Sequence, residues 1–167
     1  MHFEEDTVSE PALKKGEMID KMIQLAVKGH AGQFDKGGNP YILHVLKVMD
    51  NLHTNDEELQ CIAVGHDLIE DTKITAKEML RQGISSRVVT AIEMLSKKKG
   101  QTDDEYLNLI LSSVDCMRVK KADLQHNSDI RRLKGVRPKD ITRIIKYHDM
   151  WLKIDAKLKS MAATADA

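Results

Sequence analysis

The sequence predicts an all-α fold. Apolar residues recur at helical spacing over long segments, and the alternating pattern of β-branched residues that is typical of strands is scarce. Only three of the 167 residues are proline, so few positions force a helix to end. The length matches one domain that can bury a sizeable core. We therefore expect a single helical bundle over residues 1–167, with its core at about 17–155 and flexible ends at 1–15 and 161–167.

The first half of the chain predicts three helices and one loop. The expected helices cover residues 17–30, 41–52 and 55–71, and a turn-rich loop covers 33–40. Asn55 followed by Glu58 is typical of a helix N-terminus. We therefore expect the third helix to begin there and to continue without a break through His66 to Asp71.

The second half predicts five more helices. They are expected at 75–82, 85–95, 102–111, 114–133 and 138–160. Thr75 and Thr102 each precede a glutamate by three residues, which is the capping-box pattern, and Pro138 suits the first position of a helix. The last helix is expected to bury one apolar stripe, formed by Ile141, Ile144, Ile145, Trp151, Leu152 and Leu158.

The composition narrows the classes of partner. Lys and Arg total 26 and Asp and Glu also total 26, so no global charge favours nucleic acid or an anionic membrane. No apolar segment approaches the length that spans a bilayer. Cys61 and Cys116 lie in apolar contexts without CxxC spacing, so we expect two buried thiols and a cytoplasmic location. Exposed apolar helix faces would allow a homodimer.

A short acidic cluster in an apolar run is the strongest chemical signal. His66, Asp67, Glu70 and Asp71 would project within an arc of roughly 140° on a helix, because each residue turns the helix by about 100°. Charged groups on a buried face are costly unless they bind something, and a divalent cation is the usual ligand. His66 and Asp67 are adjacent, so both can bind one ion only where the backbone points both side chains inward.

Further ligands are available on other predicted helices. His44 lies on the second helix, and Asp123 lies on a later one with Asn127 one turn beyond. Two imidazoles and two carboxylates favour Mn²⁺, Fe²⁺ or Zn²⁺ over Ca²⁺. Water on such an ion becomes more acidic. We expect His53, His126 and His148 to serve packing or to lie at the surface. His30 is expected either to be structural at a helix end or to approach the substrate.

Three ordered blocks of sequence carry a resemblance to a known family. They are HAGQFDKGGNPYILH at 30–44, GHDLIEDT at 65–72 and KADLQHN at 121–127. These blocks resemble the HD-domain metal-dependent phosphohydrolases, and in particular the hydrolase domain of RelA/SpoT-type alarmone enzymes. The likeness spans roughly residues 17–155, and it implies a small, hydrolase-only enzyme with an HD-domain helical bundle.

The resemblance implies a reaction and a site. The reaction is removal of the 3′-diphosphate from guanosine tetra- or pentaphosphate, a small phosphorylated nucleotide. The implied residues are the Mn²⁺ ligands His44, His66, Asp67 and Asp123, the water-positioning acids Glu70 and Asp71, and the substrate-binding residues Lys36 and Asn127.

The chain departs from the family pattern at two places, and both concern the substrate. Asp35 stands where the family keeps an arginine that packs on the purine, and an acid there is expected to repel phosphate. Asp129 and Ile130 stand where the family keeps a basic residue and a hydroxyl residue after the asparagine, and Arg131 or Arg132 is a candidate replacement. Two alternatives therefore stay open. One is hydrolysis of another phosphorylated nucleotide, such as an adenine alarmone, a nicotinamide dinucleotide phosphate or a nucleotide monophosphate, and the other is a non-catalytic nucleotide-binding module.

Overall fold

A computed structural model describes residues 13–165, so residues 1–12 of the flexible arm expected at 1–15 lie outside them. The described residues form α-helices with one 3₁₀ turn and no β-strand, which confirms the all-α prediction. In chain order the elements are α1 (Glu17–Gly29), α2 (Ile42–Asn51), α3 (Glu57–Gly65), α4 (Leu68–Asp71), α5 (Ala76–Arg81), α6 (Ser86–Leu95), α7 (Asp103–Leu111), α8 (Val114–Asn127), the 3₁₀ turn (Ile130–Arg132) and α9 (Pro138–Ala165).

Helix α3 lies at the centre of the bundle. It packs against α1, α2, α6 and α8, and every residue from Cys61 to Gly65 is buried. This explains why the sequence there is an unbroken apolar run rather than an amphipathic pattern. The residues that follow α3 are consequently anchored in the core, from which the candidate site emerges.

Two predictions for the first half of the chain are wrong, namely the residue at which α3 begins and the absence of a break before residue 71. Asp56, not Asn55, is the N-cap of α3, and its side chain accepts a hydrogen bond from the amide of Leu59 at 3.2 Å. The expected continuous helix to residue 71 is interrupted, because α3 ends at Gly65 and α4 begins at Leu68. Between them Asp67 has φ −100° and ψ 0°, a turn conformation that redirects the chain.

The second half shows corrections near the ends of α8 and α9. Helix α8 ends at Asn127 instead of continuing to 133, because the Asp129 side chain accepts from the amide of Arg131 at 3.0 Å and caps the 3₁₀ turn. The tail expected to be flexible from residue 161 is helical to Ala165, in a segment rich in alanine, the strongest helix former.

The predicted apolar stripe of α9 is only partly correct. Ile141, Ile145 and Leu152 are 46%, 65% and 48% exposed. The face that packs on the core instead carries Tyr147, Met150, Trp151, Ile154 and Leu158. These residues follow the helical repeat of three or four, whereas the prediction combined two faces of one helix. No helix among residues 13–165 is both long enough and apolar enough to cross a lipid bilayer.

Candidate metal centre

The turn between α3 and α4 directs the adjacent side chains of His66 and Asp67 toward the same position. His66 is buried, and its Nδ1 lies 2.7 Å from the carbonyl oxygen of Ala63. That contact fixes the imidazole with its proton on Nδ1. The Nε2 atom is buried and has no hydrogen-bond partner among residues 13–165. A histidine held in this way presents Nε2 as a metal ligand.

Donors from two other helices converge on the same place. His44 of α2 and Asp123 of α8 are both buried, and His44 Nε2 lies 3.1 Å from Asp123 Oδ1. Donor atoms of His44, His66 and Asp123 lie within 4.8 Å of one another. Asp67 Oδ2 completes the set, at 3.0 Å from His66 Nε2 and 3.8 Å from His44 Nε2.

The donor set fits a divalent cation. Two imidazole nitrogens and two carboxylates meet in a largely buried position, and one nitrogen has no other partner there. Such a set suits Mn²⁺, Fe²⁺ or Zn²⁺ better than Ca²⁺, which prefers oxygen ligands alone. The structure thus brings together all four side chains that the sequence nominated as ligands.

Three supporting residues escaped the sequence prediction. The Tyr41 hydroxyl donates to Asp67 Oδ2 at 2.6 Å, and the Lys120 ammonium donates to Asp123 Oδ2 at 2.9 Å. The third is His126, which we expected at the surface or in helix packing. Its ring stacks on His44 with centroids 5.0 Å apart, and the two Nδ1 atoms lie 2.7 Å from each other. The spacing of three between Lys120, Asp123 and His126 was the one signal in the sequence that they share a helix face.

The local charges favour the ionised form of the two carboxylate donors and the neutral form of His126. Burial alone would raise the pKa of Asp67, but the neighbouring His66 imidazole and the Tyr41 hydroxyl outweigh it and lower the pKa to about 2. Burial also opposes ionisation of Asp123, yet the Lys120 ammonium holds its pKa well below the usual range. Burial and the nearby Arg132 charge lower the pKa of His126 to about 4, so its ring is neutral at pH 7.

The two candidate catalytic acids lie in different positions. Glu70 lines a cavity of about 170 Å³ together with His66, Asp67, Asp123 and Asn127. One of its oxygens accepts a hydrogen bond from the Lys97 amide at 3.0 Å. Asp71 is not among the residues that line this cavity. Partial burial and the negative charge of Asp67 raise the pKa of both acids.

The two predicted substrate residues, Asn127 and Lys36, line a series of adjoining cavities that begins at the metal donors. Asn127 lines the 170 Å³ cavity and also an adjoining cavity of about 300 Å³. Lys36 lines the 300 Å³ cavity and an outer one of about 930 Å³. Tyr147 and Arg143 of α9 also line the 300 Å³ cavity, and the sequence prediction did not include them.

Asp35 does not face the cavity as an isolated charge. Its Oδ2 accepts a hydrogen bond from Arg132 Nη2 at 2.9 Å, and its side chain is 8% exposed. Its Oδ1 accepts from the amides of Gly37 and Asn39, each at 2.9 Å. The expected repulsion of phosphate by Asp35 is therefore offset by the Arg132 charge, and the carboxylate organises the loop.

The pH dependence of the free energy of unfolding should reveal the contribution of the Asp35–Arg132 ion pair. Burial would raise the pKa of Asp35, but hydrogen bonds from Asn39 and Arg132 outweigh it, so the pKa lies below its ordinary value. A lowered folded-state pKa stabilises the fold above the unfolded pKa of about 3.9, and this contribution is lost as the pH falls through the folded-state value. Asp35→Asn is expected to cost about 1.5–3 kcal/mol at pH 7. Thermal unfolding at pH 7 and pH 3 should show that cost shrinking in acid.

A matched control is Asp50→Asn, because Asp50 pairs with Lys47 at 2.6 Å on an exposed part of α2. Exposed pairs contribute about 0–1 kcal/mol, so this variant should differ little from the parent protein at pH 7. An equal loss in both variants would contradict the assignment of a structural role to the Asp35–Arg132 pair.

Comparison with known proteins supports the resemblance seen in the three blocks. The chain is 35% identical to guanosine-3′,5′-bis(diphosphate) 3′-pyrophosphohydrolase of Haemophilus influenzae, over 73% of this chain and 20% of that protein. It is 33% identical to the bifunctional (p)ppGpp synthase/hydrolase SpoT of Escherichia coli, over 73% of this chain and 19% of that protein. The chain thus spans about a fifth of the length of these relatives. No family model matches the sequence.

A solved structure has the same fold. It belongs to a metazoan orthologue of SpoT that is described as hydrolysing ppGpp. The TM-score is 0.70 at 19% sequence identity, and the match covers 92% of this chain and 98% of that one. With the sequence blocks, the helical bundle and the convergent His and Asp donors together, the chain belongs to the HD-domain family, among the relatives of the RelA/SpoT-type alarmone enzymes.

Proposed function

We propose that the chain is a metal-dependent phosphohydrolase that removes the 3′-diphosphate from guanosine tetra- or pentaphosphate. The observation that carries this proposal is the convergence of His44, His66, Asp67 and Asp123 beside the cavity that Glu70 lines. The names of the relatives describe the same reaction. Mn²⁺ is the proposed metal, with Fe²⁺ and Zn²⁺ as the alternatives that the donor set also suits.

The proposed chemistry is hydrolysis with separate binding and proton-transfer groups. The four donors hold the ion, which when bound polarises the phosphate and makes water more acidic. Glu70 accepts the proton of the attacking water, and its raised pKa brings it closer to the range of a useful base. The Asn127 amide donates to Asp123 Oδ1 at 2.6 Å and thereby holds that ligand in place. Asp71 is proposed as a second acid, outside the residues that line this cavity.

The outer cavity supports a substrate that carries several phosphates. Five cationic side chains line the 930 Å³ cavity, namely Lys36, Lys134, Arg137, Lys139 and Arg143. Its one acid, Asp140, is buried and already binds Arg137 and Arg143. The whole chain is neutral, so this cationic surface is a local feature. It lies next to the 300 Å³ cavity, since Lys36, Leu133 and Arg143 line both.

A panel of nucleotides tests the proposed substrate. The purified chain with Mn²⁺ should release pyrophosphate from guanosine tetraphosphate, and chromatography should identify guanosine 5′-diphosphate as the other product. The panel also contains an adenine alarmone, a nicotinamide dinucleotide phosphate and a nucleotide monophosphate. These test the alternative that the chain hydrolyses another phosphorylated nucleotide, which the acid at position 35 favours. Faster turnover of one of these would overturn the guanosine assignment. Stoichiometric metal without any turnover would instead favour a non-catalytic nucleotide-binding module.

Two further proposals concern the cellular location of the protein and its oligomeric state. Cys61 and Cys116 are buried free thiols, which supports a reducing compartment such as the cytoplasm. The homodimer stays a prediction. Exposed apolar residues support it, among them Ile141, Ile145 and Leu152 on α9, and sedimentation equilibrium would test it. Neither nucleic acid nor a membrane is proposed as a partner.

A further inference from the structure

Asp35 and Arg132 connect two segments that are far apart in the sequence. The segment 33–40 runs between α1 and α2, and Arg132 ends the 3₁₀ turn after α8. Arg132 is 18% exposed and Asp35 is 8% exposed, so this ion pair is shielded from solvent more than a typical surface pair. Both residues line the 300 Å³ cavity.

The two segments are also in direct backbone contact. A Cβ atom placed on Gly37 would lie 2.1 Å from the carbonyl oxygen of Arg132, a distance that no side chain tolerates. Only glycine therefore allows the loop to approach the 3₁₀ turn this closely. The side chain of Arg132 and its backbone are thus both held by the 33–40 segment.

Arg132 is held from its other side by α8. Its Nη1 donates to the Asn127 side-chain oxygen at 3.1 Å and to the His126 carbonyl at 2.9 Å. With the bond to Asp35, three acceptors fix the plane of one guanidinium. A planar cation held in a cavity wall can stack on a nucleotide base, and little conformational entropy remains to be lost on binding.

We infer that Arg132 is a specificity-determining residue that stacks on the nucleotide base in the 300 Å³ cavity, and that Asp35 is its positioning residue. The inference rests on the proposed function, since it concerns the same substrate. The pairing with Asp35 argues for a base rather than a phosphate as the group contacted. The Asp35 carboxylate offsets the positive charge of Arg132 but leaves the flat face of its guanidinium unchanged. Tyr147 lines the same cavity and offers a second flat group.

The decisive variant is Arg132→Lys. Lysine keeps the charge and the bond to Asp35 but loses the planar group. If Arg132 only bridges the two segments, lysine should restore normal behaviour. If it stacks on the base, KM for guanosine tetraphosphate should rise about tenfold, the equivalent of about 1.4 kcal/mol, in both Arg132→Lys and Arg132→Ala. We expect kcat of the lysine variant to stay within about twofold of the parent.

Arg131→Lys is the matched control. Arg131 neighbours Arg132 in the same turn and pairs with Asp129 at 2.8 Å, but its side chain is 87% exposed and is not among those lining the cavity. It should leave KM unchanged. A normal KM in Arg132→Lys, or an equal rise in Arg131→Lys, would overturn the inference.

A second pair of variants tests the positioning role without removing a charge. Gly37→Ala should push the loop from the 3₁₀ turn and raise KM, whereas Gly135→Ala should raise KM less, since nothing lies within 4 Å of a Cβ there, although Gly135 lines the 930 Å³ cavity. Binding of guanosine 5′-diphosphate to the metal-free protein, by calorimetry, provides a readout independent of turnover. Weaker binding in Arg132→Lys supports the inference even if the native reaction differs, and unchanged binding overturns it. Absence of pyrophosphate release from the parent protein would instead contradict the proposed function.

Discussion

The Asp67→Ala variant is expected to lose both its bound metal and its pyrophosphate release. Asp67 Oδ2 lies 3.0 Å from His66 Nε2 and receives the Tyr41 hydroxyl, so the side chain is fixed toward the donor set from two sides. A metal ion contributes several kcal/mol of charge stabilisation in phosphoryl chemistry, so activity should fall by about 10³-fold or more. Metal content by mass spectrometry and pyrophosphate release should fall together.

The control for this variant is Asp50→Ala on α2. Asp50 is an exposed aspartate whose partner is Lys47, and it is not among the residues that line the three cavities. It should keep the metal and the activity of the parent protein. Circular dichroism of both variants should show the same helical content. Pyrophosphate release that persists in Asp67→Ala would remove this residue from the proposed site.

The second large effect is expected at Glu70. Glu70→Gln keeps the size of the side chain and its acceptor for the Lys97 amide, but it removes the proton-accepting carboxylate. General-base catalysis contributes about 10²–10⁴-fold, so kcat should fall by that factor while the metal content stays at the parent level. The measurement is steady-state kinetics combined with metal analysis of the same preparation.

The Asp71→Asn variant distinguishes the roles of Glu70 and Asp71, which the sequence predicted to be the same. Asp71 is adjacent to Glu70 and has the same direction of pKa shift, yet it does not line the 170 Å³ cavity. We therefore expect its kcat to fall much less than that of Glu70→Gln. A larger loss in Asp71→Asn would assign the proton transfer to Asp71 and leave Glu70 with a positioning role through Lys97.

The sequence was sufficient to predict which four side chains converge in the candidate metal centre, because each is marked locally. His66 and Asp67 follow an apolar run, and His44 and Asp123 lie in ordered sequence blocks on the adjoining helices α2 and α8. The break between α3 and α4 was not predictable in the same way. His66 and Asp67 sit in a helical pattern, and the turn forms because α3 is buried on several sides and its end is fixed by packing.

The supporting residues depend on contacts between distant segments, which the sequence does not mark. His126 meets His44 across 82 positions, and Arg132 meets Asp35 across 97. A pattern of residues along one helix carries no information about such partners. This is why Asp35 was interpreted as an unpaired acid that would repel phosphate, whereas in the fold it has a cation beside it.

The buried Lys120–Asp123 contact has a consequence for the order of folding and metal loading. Two carboxylates gathered without a cation would repel each other, and a fold that relied on the metal alone to offset them would be unfolded in its absence. The Lys120 ammonium lies 2.9 Å from Asp123 and supplies one positive charge from within the protein. The bundle therefore has an internal counter-ion before any metal arrives. We therefore expect that folding does not require the metal and that uptake of the ion is a separate equilibrium.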